Sequence, residues 1–115
     1  MSDPLAPLLT RTYDELGGCW GLAVAACEIL GRRLPESPEA ALANGQGLGE
    51  VVEVPARGDL VVMNDDAGEA SHVGVMVDRF RILHASSERG VLLQTLRDAV
   101  RFNPVRHIVR LEEIT

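Results

Sequence analysis

The sequence predicts an α+β fold, because one apolar helical segment is followed by a succession of short strand-like segments. The helical pattern occupies residues 18 to 30, and the strand-like segments follow from Gly58 onward. A helix that leads into consecutive hairpins is an α+β plan. The 115 residues contain no internal repeat, no low-complexity segment and no composition change that marks a boundary. We therefore expect a single domain over residues 1–115.

The predicted helix begins where two glycines run into the apolar pattern. Gly31 is its predicted end, because glycine readily adopts the left-handed conformation that closes a helix. Arg32 and Arg33 follow, and cations interact favourably with the negative end of the helix dipole. The sequence therefore predicts an N-terminal helix with well-marked ends.

Five strands are predicted from short runs rich in valine, isoleucine and leucine, separated by turn-forming residues. They are Asp59–Met63, His72–Val77, Phe80–Ser86, Val91–Leu96 and Val105–Leu111. Residues 34 to 55 are rich in proline and glycine and are predicted to form a surface connection, with a short helix between Ser37 and Ala43. His107 is predicted to be a structural strand residue that shares a face with Val105 and Val109.

Composition and charge exclude several classes of partner. Seventeen acidic and eleven basic side chains give a net charge of -6, which disfavours binding to nucleic acid or to an anionic membrane. The first sixteen residues are interrupted by charged side chains, so we expect neither a signal peptide nor a membrane span. The expectation is synthesis in the cytoplasm.

The two cysteines have different settings on the predicted helix. Cys19 and Cys27 are eight residues apart, about 12 Å along a helix axis, so they cannot form a disulfide there. Cys27 lies within an apolar stretch and is predicted to be a small core residue. Cys19 lies at the helix start, where unpaired backbone N–H groups and the positive end of the dipole favour a thiolate. Cys19 is therefore the candidate nucleophile.

Two histidines are predicted to meet across a hairpin. In the first strand His72 shares a face with Gly74 and Met76, and in the second His84 shares a face with Ile82. The two histidines lie symmetrically about Asp78. A turn centred there, within one residue, makes the two imidazoles cross-strand neighbours, with Cβ atoms about 4.5 to 8 Å apart.

A cysteine protease needs a thiolate, an imidazole that accepts and returns a proton, and a polar group that orients the imidazole. These roles are assigned to Cys19, His72 and His84 respectively. Gly74 lies on the same strand face as His72 and would let a substrate backbone approach closely, although a strand glycine can equally mark a bulge.

Four segments in order resemble the motifs of the NlpC/P60 cell-wall cysteine peptidases, from about Tyr13 to Leu111. They are Gly18-Cys19-Trp20-Gly21-Leu22, Arg57-Gly58-Asp59-Leu60-Val61-Val62, Ser71-His72-Val73-Gly74-Val75 and Leu83-His84-Ala85-Ser86. The resemblance implies a papain-like fold in which a catalytic helix packs on an antiparallel sheet. It also implies cleavage of peptide bonds in peptidoglycan stems, typically the γ-D-glutamyl to diaminopimelate or lysine link. The Cys-Trp-Gly-Leu version looks more like the phage-tail branch than the secreted enzymes.

The chain departs from the family pattern before the cysteine, where members commonly carry an aspartate and this chain has Gly18. In members that recognise a free amino terminus, that aspartate is implicated in holding the amine, so the departure bears on which bond is cleaved. The resemblance suggests Tyr13 as a donor to the oxyanion, and Trp20 and Gly74 are assigned with it to the oxyanion and substrate-binding group. The backbone N–H of Cys19 would be a further oxyanion donor.

Two alternatives remain open from the sequence. One cysteine and two histidines can bind zinc with an open fourth position, although catalytic zinc sites usually place ligand pairs at short spacing. The other alternative is an inactive structural or binding protein of the same fold, such as a phage-tail component. The peptidase hypothesis implies no cofactor and no metal. Its partners would be a peptidoglycan peptide and, for delivery to the wall, a phage particle or a secretion apparatus.

Overall fold

Helix α2 spans Gly18–Leu30, the range predicted for the helix. A computed structural model of the protein describes residues 3–34, 49–65, 67–69 and 71–114. Gly17, which caps the start of α2, and Gly18, its first residue, have φ angles of 83° and 81°, and Gly31, with a φ of 69°, caps its end. The helix boundaries are confirmed, because left-handed glycines stand at both ends of the apolar pattern.

Two short elements precede α2 that the sequence analysis did not predict. A 3-10 helix spans Ala6–Thr10, and α1 spans Tyr13–Leu16. Thr12 caps α1 by accepting a hydrogen bond from the Glu15 backbone N–H, while the Glu15 side chain accepts one from the Thr12 N–H. Gly17 ends α1 and begins α2, so the chain turns sharply between the two helices.

In the described residues, six antiparallel strands form one sheet in the order β1-β6-β2-β3-β4-β5. The strands are β1 (Gly49–Val51), β2 (Leu60–Met63), β3 (His72–Met76), β4 (Arg81–Ser86), β5 (Gly90–Thr95) and β6 (Val105–Leu111). The last five confirm the predicted strands to within one residue at each end. The α+β fold is confirmed, with the N-terminal helix packed on an antiparallel sheet.

Two local differences from the prediction have physical reasons. β1 lies in the segment predicted as a connection, because its three exposed residues pair with β6 rather than with a strand nearby in sequence. Leu96 begins helix α3 (Leu96–Ala99) instead of ending a strand, because the Thr95 hydroxyl accepts a hydrogen bond from the Asp98 N–H. The helix predicted between Ser37 and Ala43 lies outside the described residues.

The sheet buries apolar side chains on both faces. On one face α2 contributes buried residues such as Leu22 and Ala26, which pack with Val73 and Val75 of β3. On the other face a smaller cluster includes Met76 and Ile82 together with Ala99 of α3. Among the described residues no helix is long and apolar enough to cross a membrane.

Strand β6, which lies between β1 and β2, contains a register shift that corrects one prediction. Val62 of β2 pairs with His107, but the next residue of β2, Met63, pairs with Val105. β6 thus has one extra residue at this point, and the alternation of its side chains is interrupted. Val105 consequently packs against the α3-side cluster, whereas Val109 belongs to the α2-side cluster. The predicted shared face of Val105 and Val109 is wrong.

Candidate active site

The β3–β4 hairpin brings the two predicted histidines together. Gly74 pairs with His84 and Met76 pairs with Ile82, so the turn centres on Arg79, one residue beyond the predicted centre. His72 is therefore a diagonal neighbour of His84 rather than its direct partner. The Asp78 carboxylate holds the turn by accepting hydrogen bonds from the Phe80 and Arg81 backbone N–H groups, each at 2.8 Å.

The two imidazoles are hydrogen bonded. His72 Nε2 lies 2.9 Å from His84 Nδ1. The rings are nearly perpendicular, at 82°, with their centroids 5.1 Å apart. Both side chains are buried, with exposed fractions of 9% for His72 and 3% for His84. Burial on a packed sheet holds both rings in one arrangement.

Gln94 of β5 extends this pair to a third residue. Its Oε1 lies 2.7 Å from His84 Nε2. The sequence analysis did not identify Gln94, although the β4–β5 hairpin centres on Glu88 within the predicted turn, and that register places Gln94 opposite Ile82. Turn symmetry about Glu88 makes Gln94 a diagonal cross-strand neighbour of His84.

The amide oxygen of Gln94 fixes the direction of the hydrogen bonds. An amide oxygen only accepts, so His84 donates from Nε2 and its Nδ1 is left as an acceptor. His72 then donates from Nε2 to His84 Nδ1, which leaves Nδ1 of a neutral His72 as its basic nitrogen. This relay, formed by His72, His84 and Gln94, presents a base at one end and an amide at the other.

Burial favours the neutral form of His84. Burial is the largest influence on the pKa of His84 and lowers it below the usual value; the hydrogen bond to Gln94 opposes the change, and the charge of Arg89 adds to it. A neutral His84 keeps Nδ1 available as an acceptor. It can therefore orient His72 both before and after His72 takes up a proton.

Cys19 lies at the start of α2, next to the first residues of β3. Its thiol donates a long hydrogen bond of 3.8 Å to the carbonyl oxygen of Ser71, the residue before His72. The side chain is half-buried. The sulfur of Cys19, at the start of α2, thus lies next to the end of β3 that carries His72.

Asp65 holds the loop before β3 in place. Its carboxylate accepts a hydrogen bond from the Ser71 hydroxyl and two more from the backbone N–H groups of Ala67 and Glu69, at 2.9 and 3.0 Å. These hydrogen bonds, that from Ser71 foremost, lower the pKa of Asp65. Asp65 therefore fixes the residue whose carbonyl group contacts Cys19.

A cavity of about 520 Å³ joins these elements. Cys19, His72 and His84 all line it, and so do Tyr13, Asp65 and Phe102. The volume lies within the range of small-molecule and peptide sites. The structure thus brings the predicted nucleophile and both predicted histidines to one concave surface.

Tyr13 lies over the glycine that replaces the family aspartate. A Cβ added at Gly18 would lie 3.2 Å from the Tyr13 hydroxyl oxygen, and the φ of 81° at Gly18 disfavours any L side chain. An aspartate could not occupy this position without strain and displacement of Tyr13. The hydroxyl of Tyr13 fills part of the space that such a side chain would need.

Gly74 and Trp20 do not line the described cavity. A Cβ on Gly74 would lie 2.7 Å from Ile82 Cδ1 and 3.0 Å from His84 Cβ, so the missing side chain gives room to these two residues. The suggested approach of a substrate backbone to Gly74 is corrected, because Ile82 and His84 already cover it. Trp20 packs against the core cluster on the α2 side of the sheet.

The structure also bears on the second cysteine, Cys27, and on the alternative of a zinc site. Cys27 is buried, and burial raises the pKa of its thiol to about 11, so it stays protonated. Both cysteines are free thiols. No three His, Cys, Asp or Glu side chains within the described ranges are arranged to hold a metal ion.

Comparison with known proteins agrees with this geometry. Residues 12–110 match the NlpC/P60 family, a span that includes Tyr13, Cys19, both histidines of the relay and Gln94. A search of curated proteins finds no match to the chain. Proteins of the matched family are generally cysteine peptidases. Because the match covers most of the sequence, the chain belongs to the NlpC/P60 family.

Proposed function

We propose that this protein is a cysteine peptidase that hydrolyses peptide bonds in the stem peptides of bacterial peptidoglycan. The observation that carries the proposal is that Cys19, at a helix start, lines the same cavity as the hydrogen-bonded pair His72 and His84. Family membership supports the choice of peptidoglycan as the substrate. In this proposal Cys19 is the nucleophile, His72 is the general base and acid, and His84 orients His72.

The first half-reaction forms a thioester. His72 Nδ1 takes the proton from the Cys19 thiol, and the thiolate attacks the carbonyl carbon of the scissile amide. The imidazolium of His72 keeps its Nε2–H bond to neutral His84, which stabilises its charge. The backbone N–H of Cys19 and the hydroxyl of Tyr13 are the proposed donors to the oxyanion. His72 then gives its proton to the departing nitrogen, and the C–N bond breaks.

The second half-reaction returns the enzyme to its starting state. A water molecule gives a proton to His72 and attacks the thioester carbon. The C–S bond breaks, the carboxylic product leaves, and the proton on His72 returns to the Cys19 sulfur. One water is consumed for each amide cleaved.

The test is mass spectrometry of purified stem peptides after incubation with the wild type, Cys19→Ala and Cys27→Ala. New amino termini are expected with the wild type and with Cys27→Ala, because Cys27 lies in the core away from the cavity. Cys19→Ala should lower the rate by about a thousandfold or more. It should leave the circular dichroism and thermal unfolding curves nearly unchanged, because a half-buried helix start tolerates alanine.

Two outcomes would contradict the proposal. Equal amounts of product from Cys19→Ala and the wild type would show that the Cys19 thiol takes no part in the reaction. No products from a folded wild type on any stem peptide would favour a binding or structural role for the same fold. Transport to the cell wall by a phage particle or a secretion apparatus stays a prediction from the sequence.

A further inference from the structure

Arg89 lies at the wall of the catalytic cavity, in the turn between β4 and β5. Its backbone N–H donates a hydrogen bond of 3.0 Å to the Ser86 hydroxyl, which fixes the turn. The turn follows the strand that carries His84. Arg89 is therefore held close to the catalytic relay by the same hairpin.

The Arg89 side chain is held by an aromatic ring. Its guanidinium lies over Phe102, with Cζ 5.1 Å from the ring centroid, and Phe102 also lines the cavity. A guanidinium that stacks by its face keeps its N–H edges available for a planar acceptor. The stacking reduces the entropy that a ligand must remove when it binds these edges.

No carboxylate within the described residues forms an ion pair with Arg89, whereas five other arginines form ion pairs. No other arginine lines the described cavity. Two carboxylates, those of Asp65 and Glu88, line the same cavity, and that of Asp65 accepts hydrogen bonds from three donors of its own loop. Arg89 thus places a positive charge, with no ion pair in the described part of the chain, on the wall of the cavity that Cys19 also lines.

We propose that Arg89 binds a free carboxylate of the substrate and makes the enzyme prefer peptides with a carboxylate beside the scissile amide. The inference rests on the proposed peptidase function and specifies its substrate further. In a γ-glutamyl peptide the α-carboxylate of the glutamyl residue stays free, and it matches the bidentate edge of a guanidinium. Conversion of that group to a primary amide keeps its shape but removes its charge.

The test compares two γ-D-glutamyl-lysine stem peptides that differ only in whether this α-carboxyl is free or amidated. The wild type should cleave the free form with a kcat/KM about three to ten times higher, as expected for a guanidinium–carboxylate pair partly open to solvent. Arg89→Gln should bring the ratio close to one. Because a change in the pKa of His84 affects both peptides equally, the ratio isolates recognition of the carboxylate.

Arg79→Gln is the matched control. Arg79 also stacks on an aromatic ring, with Cζ 5.2 Å from the Phe80 centroid, but it lies in the β3–β4 turn and does not line the cavity. This variant should keep the wild-type ratio. An equal loss of preference in both variants would mean that surface charge alone sets the ratio, and the inference would be overturned.

Calorimetric binding of both peptides to Cys19→Ala separates this inference from the proposed function. Preferential binding of the free carboxylate without hydrolysis by the wild type would uphold carboxylate recognition and overturn the peptidase function. Hydrolysis without a preference would overturn the role of Arg89 alone. Failure to bind or cleave either peptide would overturn both.

Discussion

Gln94 shows how one amide determines the chemistry of two histidines. Its oxygen accepts from His84 and thereby fixes the tautomers of both His84 and His72. The basic nitrogen of His72 is thus assigned through two hydrogen bonds, starting from a residue that never meets the reacting atoms. Gln94 is a positioning residue for the proposed reaction.

Replacement of Gln94 by leucine should lower kcat by about tenfold to a hundredfold, part of the contribution of general acid–base catalysis. Gln94→Glu keeps an accepting oxygen and should retain most of the activity at neutral pH. Its negative charge favours protonated His84, so the acidic limb of the kcat/KM profile should move to higher pH. Equal activities and identical pH profiles for both variants would contradict the role of Gln94.

Protein stability should fall below about pH 6.5 because of His84. Burial lowers the pKa of His84 in the folded state, so the unfolded chain binds more protons below its own pKa. The stabilisation that His84 contributes is complete above its pKa in the unfolded chain. It is lost as the pH falls through its pKa in the folded protein. Urea unfolding at several values between pH 5 and 7.5 should show this loss in the wild type and a smaller one in His84→Asn. Parallel curves for the two proteins would contradict it.

At the scale of single elements, the junction of α1 and α2 positions both Tyr13 and Cys19. A Cβ added at Gly21 would overlap the carbonyl oxygen of Leu16, so the two helices approach too closely for any side chain there. The close approach explains why a glycine occurs inside α2. It also couples the position of Tyr13 to the packing of α2.

Gly21→Ala should therefore destabilise the protein by about 1–3 kcal/mol, the usual cost of overpacking. A glycine-to-alanine change in an unobstructed helix interior would instead stabilise it by about 0.5–1 kcal/mol. Urea unfolding distinguishes the two signs directly. Activity on stem peptides should also fall, because displacement of α1 moves Tyr13. A more stable and fully active variant would show that the helices do not press on each other.

The sequence predicted elements well where local rules apply and poorly where they do not. Helix α2 and the histidine hairpin follow from apolar periodicity, glycine positions and turn symmetry. Helix α1 was missed because four residues are too few to show a helical period, although Thr12 and Glu15 form a capping pair. Gln94 was missed because the turn argument was applied to one hairpin only. Strand β1 was missed because its partner, β6, lies more than fifty residues away in sequence.

At the scale of the whole molecule, β6 lies between β1 and β2 and joins two parts of the sheet. The buried carboxylate of Asp59, just before β2, accepts hydrogen bonds from Arg110 of β6 at 3.1 and 2.9 Å. The position of Cys19 beside Ser71 likewise joins residues 52 apart in sequence. Local patterns do not encode such distances, so periodicity did not predict that Cys19 meets His72. That expectation came from the set of groups that a cysteine protease requires, and the resemblance to a family supported it.

Two valines that pair in the sheet test the importance of β6. Val109 is fully buried, whereas its partner Val51 on the edge strand β1 is 56% exposed. Val109→Ala should lower the free energy of unfolding by about 2 kcal/mol. Val51→Ala should change it by less than about 0.5 kcal/mol. The free energies of unfolding are measured with urea. Similar decreases for the two variants would contradict the greater importance of β6 for stability.

The place of β6 also has a consequence for how the protein is made. The ribosome delivers β1 and β2 before Val105–Leu111, so one edge of β2 stays unpaired until β6 has been made. The hairpins that carry His72, His84 and Gln94 are local and can form earlier. In a nascent chain the histidine relay can thus form before the sheet is complete. Chaperone binding or aggregation at the unpaired edge of β2 would then compete with folding.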